Sequence, residues 1–278
     1  DSKGFNRCVL GREGYVLYYC NDIYIGRAIE RYGEYSEIEA DLLRKLIRPG
    51  AVVIEAGANM GTHTQVFSRV VGAAGFIYAY EPQRVIFQTL CANLALNSMV
   101  NVDARCAVVG AKAGFVRIPD FDYAREGNFG GIEISRFPEG RRVPMITLDE
   151  DLDLSQLDLV KIDVEGMELE VLKGADGLLR KFAPVLYVEN DRTGNSEALI
   201  RHLLGLNYQM FWHLPQLFNP GNFYNNEENL YRGIVSVNML CLPRNRKHNI
   251  TGLEEITDPT HAPPIKRKSI PAQFRFAR

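Results

Sequence analysis

Short apolar runs alternate along the chain with segments in which apolar residues recur every three to four positions. The alternation begins near residue 36 and continues to about residue 242. The apolar runs predict buried strands, and the segments of helical period predict the helices between them. Strands separated by helices and buried on both faces are typical of a parallel sheet covered on both sides. The pattern therefore predicts an α/β fold with a doubly wound, mostly parallel sheet.

The apolar runs predict a seven-stranded sheet. The strands lie at residues 51–55, 76–80, 102–109, 157–164, 184–189, 208–214 and 233–242. The loop 215–232, which has no helical period, joins the last two strands, so we expect them to pair antiparallel and the final one to be a reversed edge strand. Residues 110–153 are glycine-rich and weakly periodic, which predicts an insertion of short strands and loops.

Residues 1–35 precede the alternating region and predict an N-terminal hairpin extension. Its segment 14–25 has the pattern of two short strands that turn at Asn21–Asp22. A helix is expected to follow, because Ser36 and Glu39 have the spacing of a capping box. The sheet is therefore expected to carry a hairpin and helix extension.

We assign residues 36–242 to the main domain and residues 243–278 to a C-terminal tail. The tail is polar, contains prolines and carries basic residues at positions 244, 246, 247 and 266–268. This composition predicts a solvated arm.

Composition narrows the class of partner. A formal net charge of -2 provides no field that would hold nucleic acid or an anionic membrane, so a small-molecule partner is expected. The five cysteines are scattered and form no C-x-x-C pair, which indicates reduced thiols. There is no apolar run of membrane-span length and no secretory pattern. We therefore expect a cytoplasmic protein.

Acidic residues end four of the predicted strands. They are Glu55, Glu81, the pair Asp163 and Glu165, and the pair Glu189 and Asp191, which flank Asn190. Ligands bind at the carboxyl ends of the strands in such sheets. A like-charge contact with a pyrophosphate there is worth roughly 4 kcal/mol against binding. S-adenosylmethionine carries a sulfonium and an ammonium group, so an acidic rim attracts it.

The loop after the first strand of the main domain is rich in glycine. Gly57 and Gly61 are expected to let the backbone approach the ligand and to start the next helix, whose first amides would receive a carboxylate. Glu81 follows Gly61 by about twenty residues at the end of a strand, where an acid can accept the ribose hydroxyl hydrogens. The alternatives are an ordinary tight turn and a cap for the helix that begins near Arg84.

Several segments together resemble the FkbM family of methyltransferases. They are Glu34–Glu37, Glu55–Thr64, Tyr80–Gln83, Ile146–Asp149, Lys161–Glu168 and Gly174–Ala175. The resemblance implies a class I methyltransferase fold, S-adenosylmethionine as the donor, S-adenosylhomocysteine as the product, and O-methylation of a hydroxyl on a small molecule or sugar. It places the cofactor against Tyr35, Ser36, Glu55, Gly57, Ala58, Asn59, Gly61, Thr62, Glu81, Pro82, Gln83 and Asp163.

Transfer of a methyl group to an alcohol needs a base near the ends of the fourth and fifth strands. Asp163 is the first candidate, Glu189 the second and His213 a third. Asp163 is equally open to a role as a helix N-cap, and His213 to a role as a packed rim residue.

A second version of the mechanism uses a divalent cation held by Asp163, Glu189, Asn190 and Asp191. We favour the version without a metal, because clustered carboxylates at strand ends are usually unmetallated.

Aromatic and amide side chains alternate between residues 211 and 226, which suits a lid that binds a sugar. A surface loop pinned by its own aromatic rings is the alternative. Two other functional classes also stay open: a nicotinamide-dependent oxidoreductase and a non-catalytic glycan-binding module.

Overall fold

A computed structural model describes residues 4–133, 137–246, 248 and 250–265. The strands are β1 (Asn6–Gly11), β2 (Gly14–Tyr19), β3 (Val52–Ala56), β4 (Phe76–Tyr80), β5 (Val102–Arg105), β6 (Val108–Val109), β7 (Gly114–Ile118), β8 (Arg141–Ile146), β9 (Leu159–Ile162), β10 (Val185–Glu189), β11 (Tyr208–His213), β12 (Asn238–Pro243) and β13 (Glu254–Ile256). The helices are α1 (Ile25–Tyr32), α2 (Glu37–Leu46), α3 (Thr62–Val71), α4 (Arg84–Leu96), α5 (Leu148–Asp151), α6 (Glu168–Lys173), α7 (Asp176–Phe182) and α8 (Thr193–Gly205).

The main sheet contains eight strands in the order β13-β11-β12-β10-β9-β3-β4-β5. The strands from β10 to β5 all pair parallel. Strand order reverses between β3 and β9, which places the ligand-binding crevice of an open α/β sheet above these two strands. The predicted α/β class, with a mostly parallel sheet covered by helices, is confirmed.

Two details of the predicted sheet are wrong. The reversed strand β12 pairs antiparallel with β10 on one side and with β11 on the other, so it lies inside the sheet rather than at its edge. All six of its residues are buried, which explains an apolar run without alternation. The eighth strand, β13, pairs with β11 and comes from the segment that was expected to be a solvated arm.

The tail contacts the domain in other places. The backbone amide of Arg244 donates to Asn207, and the guanidinium of Arg246 donates to the carbonyl of Phe182 at 3.1 Å. Ile265 lies at the cavity described below. The prediction of a solvated arm is therefore wrong for this part of the tail. The basic residues Lys247, Lys266, Arg267 and Lys268 lie outside the described residues.

The predicted strand 102–109 is divided between two sheets. Its first half is β5 at the edge of the main sheet, and its second half is β6, which joins β8 and β7 in a three-stranded sheet. The predicted insertion of short strands thus forms a small sheet beside the carboxyl end of β5. This sheet brings residues 107–109 to the cavity.

The N-terminal hairpin turns earlier than predicted. Strands β1 and β2 meet at Gly11 and Gly14, not at Asn21–Asp22. Asp22 instead accepts hydrogen bonds from two backbone amides at the start of α1, Tyr24 and Gly26. Its side chain therefore begins a helix rather than a turn.

The hairpin docks on α4 through one buried side chain. Asn93 accepts from the amide of Leu17 at 2.6 Å and donates to the carbonyl of the same residue at 3.0 Å. Its amide group also donates to the carbonyl of Met60 at 2.8 Å. Asn93 thus ties the extension to the loop that follows β3.

No helix in the described ranges is long and apolar enough to cross a membrane.

Candidate functional site

A cavity of about 360 Å³ opens at the carboxyl ends of the parallel strands. Its volume falls within the ordinary range of small-molecule sites. Seven carboxylic acids line it: Glu39, Glu55, Glu81, Asp163, Glu165, Glu189 and Asp191. Among the described residues of the lining, the one Lys or Arg side chain is Lys161. The lining therefore has more acidic than basic groups, which favours a cationic over an anionic ligand.

Lys161 lies at the centre of this cluster. Strand register places it directly between Glu55 on β3 and Tyr187 on β10. Its side chain is 2% exposed, and its Nζ donates to Oδ2 of Asp163 at 2.9 Å. The surrounding carboxylates, Asp163 first and then Glu39 and Glu55, raise the pKa of Lys161 against the effect of burial. Lys161 therefore stays charged and compensates part of the acidic cluster.

Burial changes the protonation of three glutamates around the cavity. Desolvation raises the pKa values of Glu39, Glu55 and Glu81 to about 7. Lys161 opposes this shift for the first two, and backbone amides oppose it for Glu81. These groups gain negative charge most easily when a cation enters.

Glu81 is held rigidly at the end of β4. One carboxylate oxygen accepts from the backbone amide of Asn59 at 3.0 Å, and the other accepts from Gln83 at 2.8 Å. Each oxygen keeps a second lone pair that can accept from a ligand. The alternative of a cap for α4 is partly correct, because Gln83 is the residue that precedes that helix. The two roles are compatible.

The packing of the protein leaves no room for a side chain at the two glycines after β3. A Cβ on Gly57, whose φ is +87°, would lie 1.7 Å from the carbonyl oxygen of Asp163. A Cβ on Gly61, whose φ is +90°, would lie 2.6 Å from a methyl group of Leu90. Gly57 lines the cavity, so a close backbone approach to the ligand stays a prediction there. Gly61 does precede α3, as predicted.

The amides of this loop are already paired. Gly57 and Ala58 donate to Tyr80, Asn59 donates to Glu81, Met60 to the side chain of Asn59, and Gly61 to Ala58. The amides that can receive a ligand carboxylate are thus confined to the first turn of α3, which begins at Thr62.

Glu39 and Ser36 do not form the predicted capping box. Ser36 has a left-handed backbone, and its hydroxyl donates to the carboxylate of Glu39 at 3.1 Å. Glu39 points into the cavity, where its Oε1 lies 3.8 Å from Nδ1 of His63. Burial keeps the pKa of His63 well below its usual value, so this ring is neutral.

The other half of the cavity lies above β9, β10 and β12. Oε2 of Glu189 is buried and has no hydrogen-bond partner within the described part of the chain. Burial, together with Asp163 and Glu165, holds the pKa of Glu189 well above its usual value. Glu189 therefore favours its protonated form more than an exposed glutamate does.

Arg192 neutralises part of this half. Its guanidinium bonds Glu165 and Asp191. Asp163, Glu165 and Glu189 each offer an oxygen within 4.8 Å of the others, which is the spacing of a possible metal site. Two residues of the predicted metal site, Asn190 and Asp191, do not belong to this group of three. Asp191 is paired with Arg192, and the side-chain amide of Asn190 donates to Ser196 and Met239.

The model of the methyltransferase FkbM domain matches residues 55–210. This match covers more than half of the 278 residues. The chain belongs to the FkbM methyltransferase family. Methyltransferase sdnD of Sordaria araneosa is 30% identical over 156 residues, which are 45% of this chain and 60% of that protein. The chain thus matches about 60% of the length of this curated relative.

Two solved structures are similar at a lower level. Methyltransferase FkbM from Methylobacillus flagellatus has 17% identity and a TM-score of 0.47, covering 73% of this chain and 50% of that one. An S-adenosylmethionine-dependent O-methyltransferase from Thermotoga maritima has 14% identity and a TM-score of 0.44, and the match covers 77% of this chain and 66% of that one. Similarity at this level is no evidence about function.

Family membership confirms the predicted resemblance and S-adenosylmethionine as the cofactor. The structure brings most of the predicted cofactor residues to one cavity: Tyr35, Glu55, Gly57, Ala58, Asn59, Thr62, Glu81, Pro82, Gln83 and Asp163. Ser36 and Gly61 lie behind the lining, where they support Glu39 and α3. Which of these residues contact the cofactor stays a prediction.

His213, the third candidate base of this FkbM protein, is not among the lining residues. Its Nδ1 lies 2.7 Å from the hydroxyl of Tyr187. Burial lowers the pKa of His213 to about 4. The structure therefore places His213 as a packed residue of the rim, which was the alternative interpretation.

The aromatic loop packs onto the N-terminal extension, and only its start, at Leu217, lines the cavity among the described residues. Phe218 contacts Tyr32 edge to face, and Asn222 bonds two backbone carbonyls of its own loop. The hydroxyl of Tyr224 donates to the carbonyl of Leu10. None of the aromatic and amide side chains of the predicted lid is among the described lining residues, so the alternative of a loop pinned by its own aromatic rings fits better, and the lid stays a prediction.

Sequence reasoning missed Lys161, Glu39, His63 and Asn238 as lining residues. Lys161 carried a usable signal, since a charged residue inside a buried strand needs a partner at the same depth. The other three gave none: Glu39 fitted a capping pattern, and Asn238 lay inside a predicted strand.

Proposed function

We propose that the chain is an S-adenosylmethionine-dependent O-methyltransferase that acts on a hydroxyl of a small molecule. The charge of the cavity carries this proposal. Seven carboxylic acids and one lysine line it, and a sulfonium or ammonium group compensates part of that excess. A nicotinamide dinucleotide has the opposite charge, so the acidic lining disfavours an oxidoreductase. Family membership points the same way.

The donor half suits the parts of the cofactor that must be held. Glu81 presents free lone pairs at the end of β4 for two ribose hydroxyls. Ala107, Val108 and Val109 supply an apolar wall for a base on the same side. The first turn of α3 offers amides to a carboxylate, and Glu55 and Asp163 face the cavity with Lys161 between them. When bound, S-adenosylmethionine supplies an activated methyl group for in-line transfer.

Glu189 is the best candidate for the general base. Its buried oxygen is unpaired among the described residues, whereas the Oδ2 of Asp163 already accepts from Lys161. A carboxylate with raised proton affinity can take the hydroxyl proton as the new bond forms. The structure thus favours the second of the candidates that the sequence provided, and Asp163 acts as a partner of Lys161.

Calorimetric titration tests the donor site directly. S-adenosylhomocysteine is expected to bind and to raise the thermal unfolding temperature, and NADH is not. Binding of NADH alone would establish the oxidoreductase alternative. Binding of neither compound would support a module that has lost the donor site.

A second measurement addresses the acceptor atom. The protein is incubated with a radiolabelled methyl donor and cell-extract metabolites, and the labelled products are treated with mild alkali. Methyl ethers survive this treatment, whereas methyl esters release methanol. Label that survives and is assigned to an ether by mass spectrometry supports the proposal; label on nitrogen or carbon contradicts it.

A further inference from the structure

The segment that leads into β12 forms one wall of the cavity. Residues 233–238 are all among the lining residues. This wall belongs to the half above β9, β10 and β12, which we call the acceptor half to distinguish it from the donor half. The backbone of the wall carries two hydrogen-bonding groups that the described residues do not use.

The segment pairs with the start of the aromatic loop on one side. The amide of Ser236 donates to the carbonyl of Pro215 at 3.0 Å, and the amide of Leu217 donates to the carbonyl of Ile234 at 3.3 Å. These two bonds flank an antiparallel bridge at Val235. A residue between two such bonds turns its own N–H and C=O away from the partner strand. Val235 therefore directs both groups to the opposite edge of the segment.

The opposite edge is the side of β10. Val237, two residues further on, has the same orientation, and its carbonyl accepts from the amide of Asn190 at 2.7 Å. The chain then leaves this edge, because it turns into α8, where the carbonyl of Arg192 accepts from the amide of Ser196 at 3.1 Å. Within the described residues, no group forms a hydrogen bond with the N–H or the C=O of Val235.

Val235 is not sealed in the interior. It is partly exposed, and it is a lining residue of the cavity. Its N–H and C=O thus form a short free strand edge at a ligand cavity. A free edge of this kind pairs with an added strand, in which main-chain hydrogen bonds hold the incoming chain.

The geometry of the edge selects the chemistry of its ligand. In antiparallel pairing, the N–H and C=O of one residue exchange bonds with an N–H and a C=O that flank a single carbon atom. An amino-acid unit has this arrangement. The seven acids of the lining disfavour a free carboxylate beside them, so the carbonyl of the unit belongs to an amide.

We propose that the free edge at Val235 binds the methyl acceptor, and that the acceptor is a peptide-like small molecule: an amino-acid unit in amide linkage that carries the hydroxyl. This inference rests on the proposed function and deepens it, because it assigns an acceptor-binding element and a substrate class. The methyl–oxygen bond forms as the methyl–sulfur bond breaks. S-adenosylhomocysteine leaves, and the hydroxyl proton passes to a carboxylate of the lining.

The test uses the N-acetyl N′-methylamides of serine, threonine and tyrosine, with the full chain saturated with S-adenosylhomocysteine. Calorimetry should show saturable binding of at least one of them. Its analogue with a methyl group on the α-nitrogen lacks the N–H and should bind at least about tenfold more weakly, the loss of one hydrogen bond. Methyl α-glucoside, which has hydroxyls but no amide, should not displace the amide.

Val235→Pro removes the N–H from the protein side. Because this N–H points away from the paired strand, proline costs no ladder bond there. Val235→Thr keeps both the N–H and the branched shape, so it is the matched control. We expect Val235→Pro to weaken binding of the amide about tenfold and Val235→Thr to change it less than about twofold.

Methyl transfer is measured with the same compound and labelled S-adenosylmethionine, and the label should appear on the side-chain hydroxyl. The inference is overturned if none of the three amides binds, if α-nitrogen methylation leaves the affinity unchanged, if the glucoside displaces the amide, or if the two variants lose affinity equally. Binding without transfer of the label also overturns it.

Binding of S-adenosylhomocysteine is measured separately for each protein. A variant that retains this binding is folded at the cavity, so its change in amide affinity reports on the free edge. Absence of S-adenosylhomocysteine binding in the unmodified chain contradicts the proposed function. Failure of the three amides on the loaded protein contradicts only the assignment of the acceptor.

Discussion

The two halves of the cavity differ in how their acids are held. Above β3 and β4, Glu55 accepts from the hydroxyl of Thr64 at 2.6 Å, and Glu81 accepts from two backbone amides. Above β10 and β12, Glu189 has a buried oxygen without a hydrogen-bond partner within the described residues, and the side chain of Asn238 lies against the hydroxyl of Tyr187. The acids above β3 and β4 are thus oriented by hydrogen bonds within the protein, whereas Glu189 is oriented less completely.

This difference follows from the strands beneath each half. The donor half stands on parallel strands, where the residues after each strand supply two amides to Glu81 and the hydroxyl of Thr64 to Glu55. The acceptor half includes β12, which runs in the opposite direction and begins, rather than ends, at the cavity. Asn238 therefore faces the site from the first residue of a strand. The fixed acids above β3 and β4 suit a methyl donor that is the same in every reaction. The residues above β10 and β12 suit the methyl acceptor.

The largest expected effect comes from Glu189→Gln. This substitution keeps the shape of the side chain and removes its ability to take a proton. Loss of a general base lowers the rate by about 10² to 10⁴-fold. Methyl transfer to the acceptor that is labelled in the cell extract should fall by this factor, while the affinity for S-adenosylhomocysteine changes little.

Glu197→Gln is the matched control, because Glu197 is an exposed residue of α8 that pairs with Arg201. Its turnover should equal that of the unmodified chain. Full activity of Glu189→Gln would remove Glu189 as the base and would return Asp163 to first place.

Glu81→Ala should act on the donor half instead. Hydrogen bonds to a charged group contribute about 1.5–3 kcal/mol, so affinity for S-adenosylhomocysteine should fall about 10- to 100-fold. Calorimetry measures this change, and Glu150→Ala, at an exposed position of α5, serves as the control. An unchanged dissociation constant would mean that Glu81 only orders the loop at Asn59.

The acidic strand ends could be predicted because the apolar runs fix where each parallel strand stops. Glu55, Glu81, Asp163 and Glu189 all reach one cavity for this reason. Asn238 could not be predicted in the same way. Its position depends on the register of β12 with β10, a non-local pairing that no local pattern specifies.

Local sequence patterns also gave wrong predictions where the same residues fit two different structural roles. Ser36 and Glu39 have the spacing of a capping box, yet the serine hydroxyl donates to the glutamate, which lines the cavity. The aromatic loop has the composition of a sugar lid, yet Phe218 and Tyr224 fasten it to the extension. Tertiary packing decides such cases.

The third prediction compares stability at different pH values between 6.5 and 8. The pKa values of Glu39, Glu55 and Glu81 are raised to about 7, and that of Glu165 to about 8. The folded protein holds protons in this window that the unfolded chain has released, so stability falls as pH rises. His63 opposes this trend near pH 6.5, because burial lowers its pKa in the folded protein while an unfolded histidine, with a pKa of about 6.5, still binds part of a proton there.

The expected slope is on the order of 1–2 kcal/mol per pH unit. Chemical denaturation at several pH values measures it, and S-adenosylhomocysteine should reduce it because its ammonium group stabilises the ionised acids. Glu81→Gln should also reduce it by removing one titrating group. Stability that rises with pH in this window would contradict the assigned protonation of the donor half.

The smallest expected effect is that of metal removal. Asp163, Glu165 and Glu189 are close enough to hold a cation. However, Lys161 and Arg192 already neutralise two of them. The acceptor half therefore needs no further positive charge to keep these acids together, and EDTA should leave turnover unchanged. A loss of activity that magnesium restores would show instead that the unpaired oxygen of Glu189 is a metal ligand, and the acceptor hydroxyl would then be acidified by the ion rather than by a base.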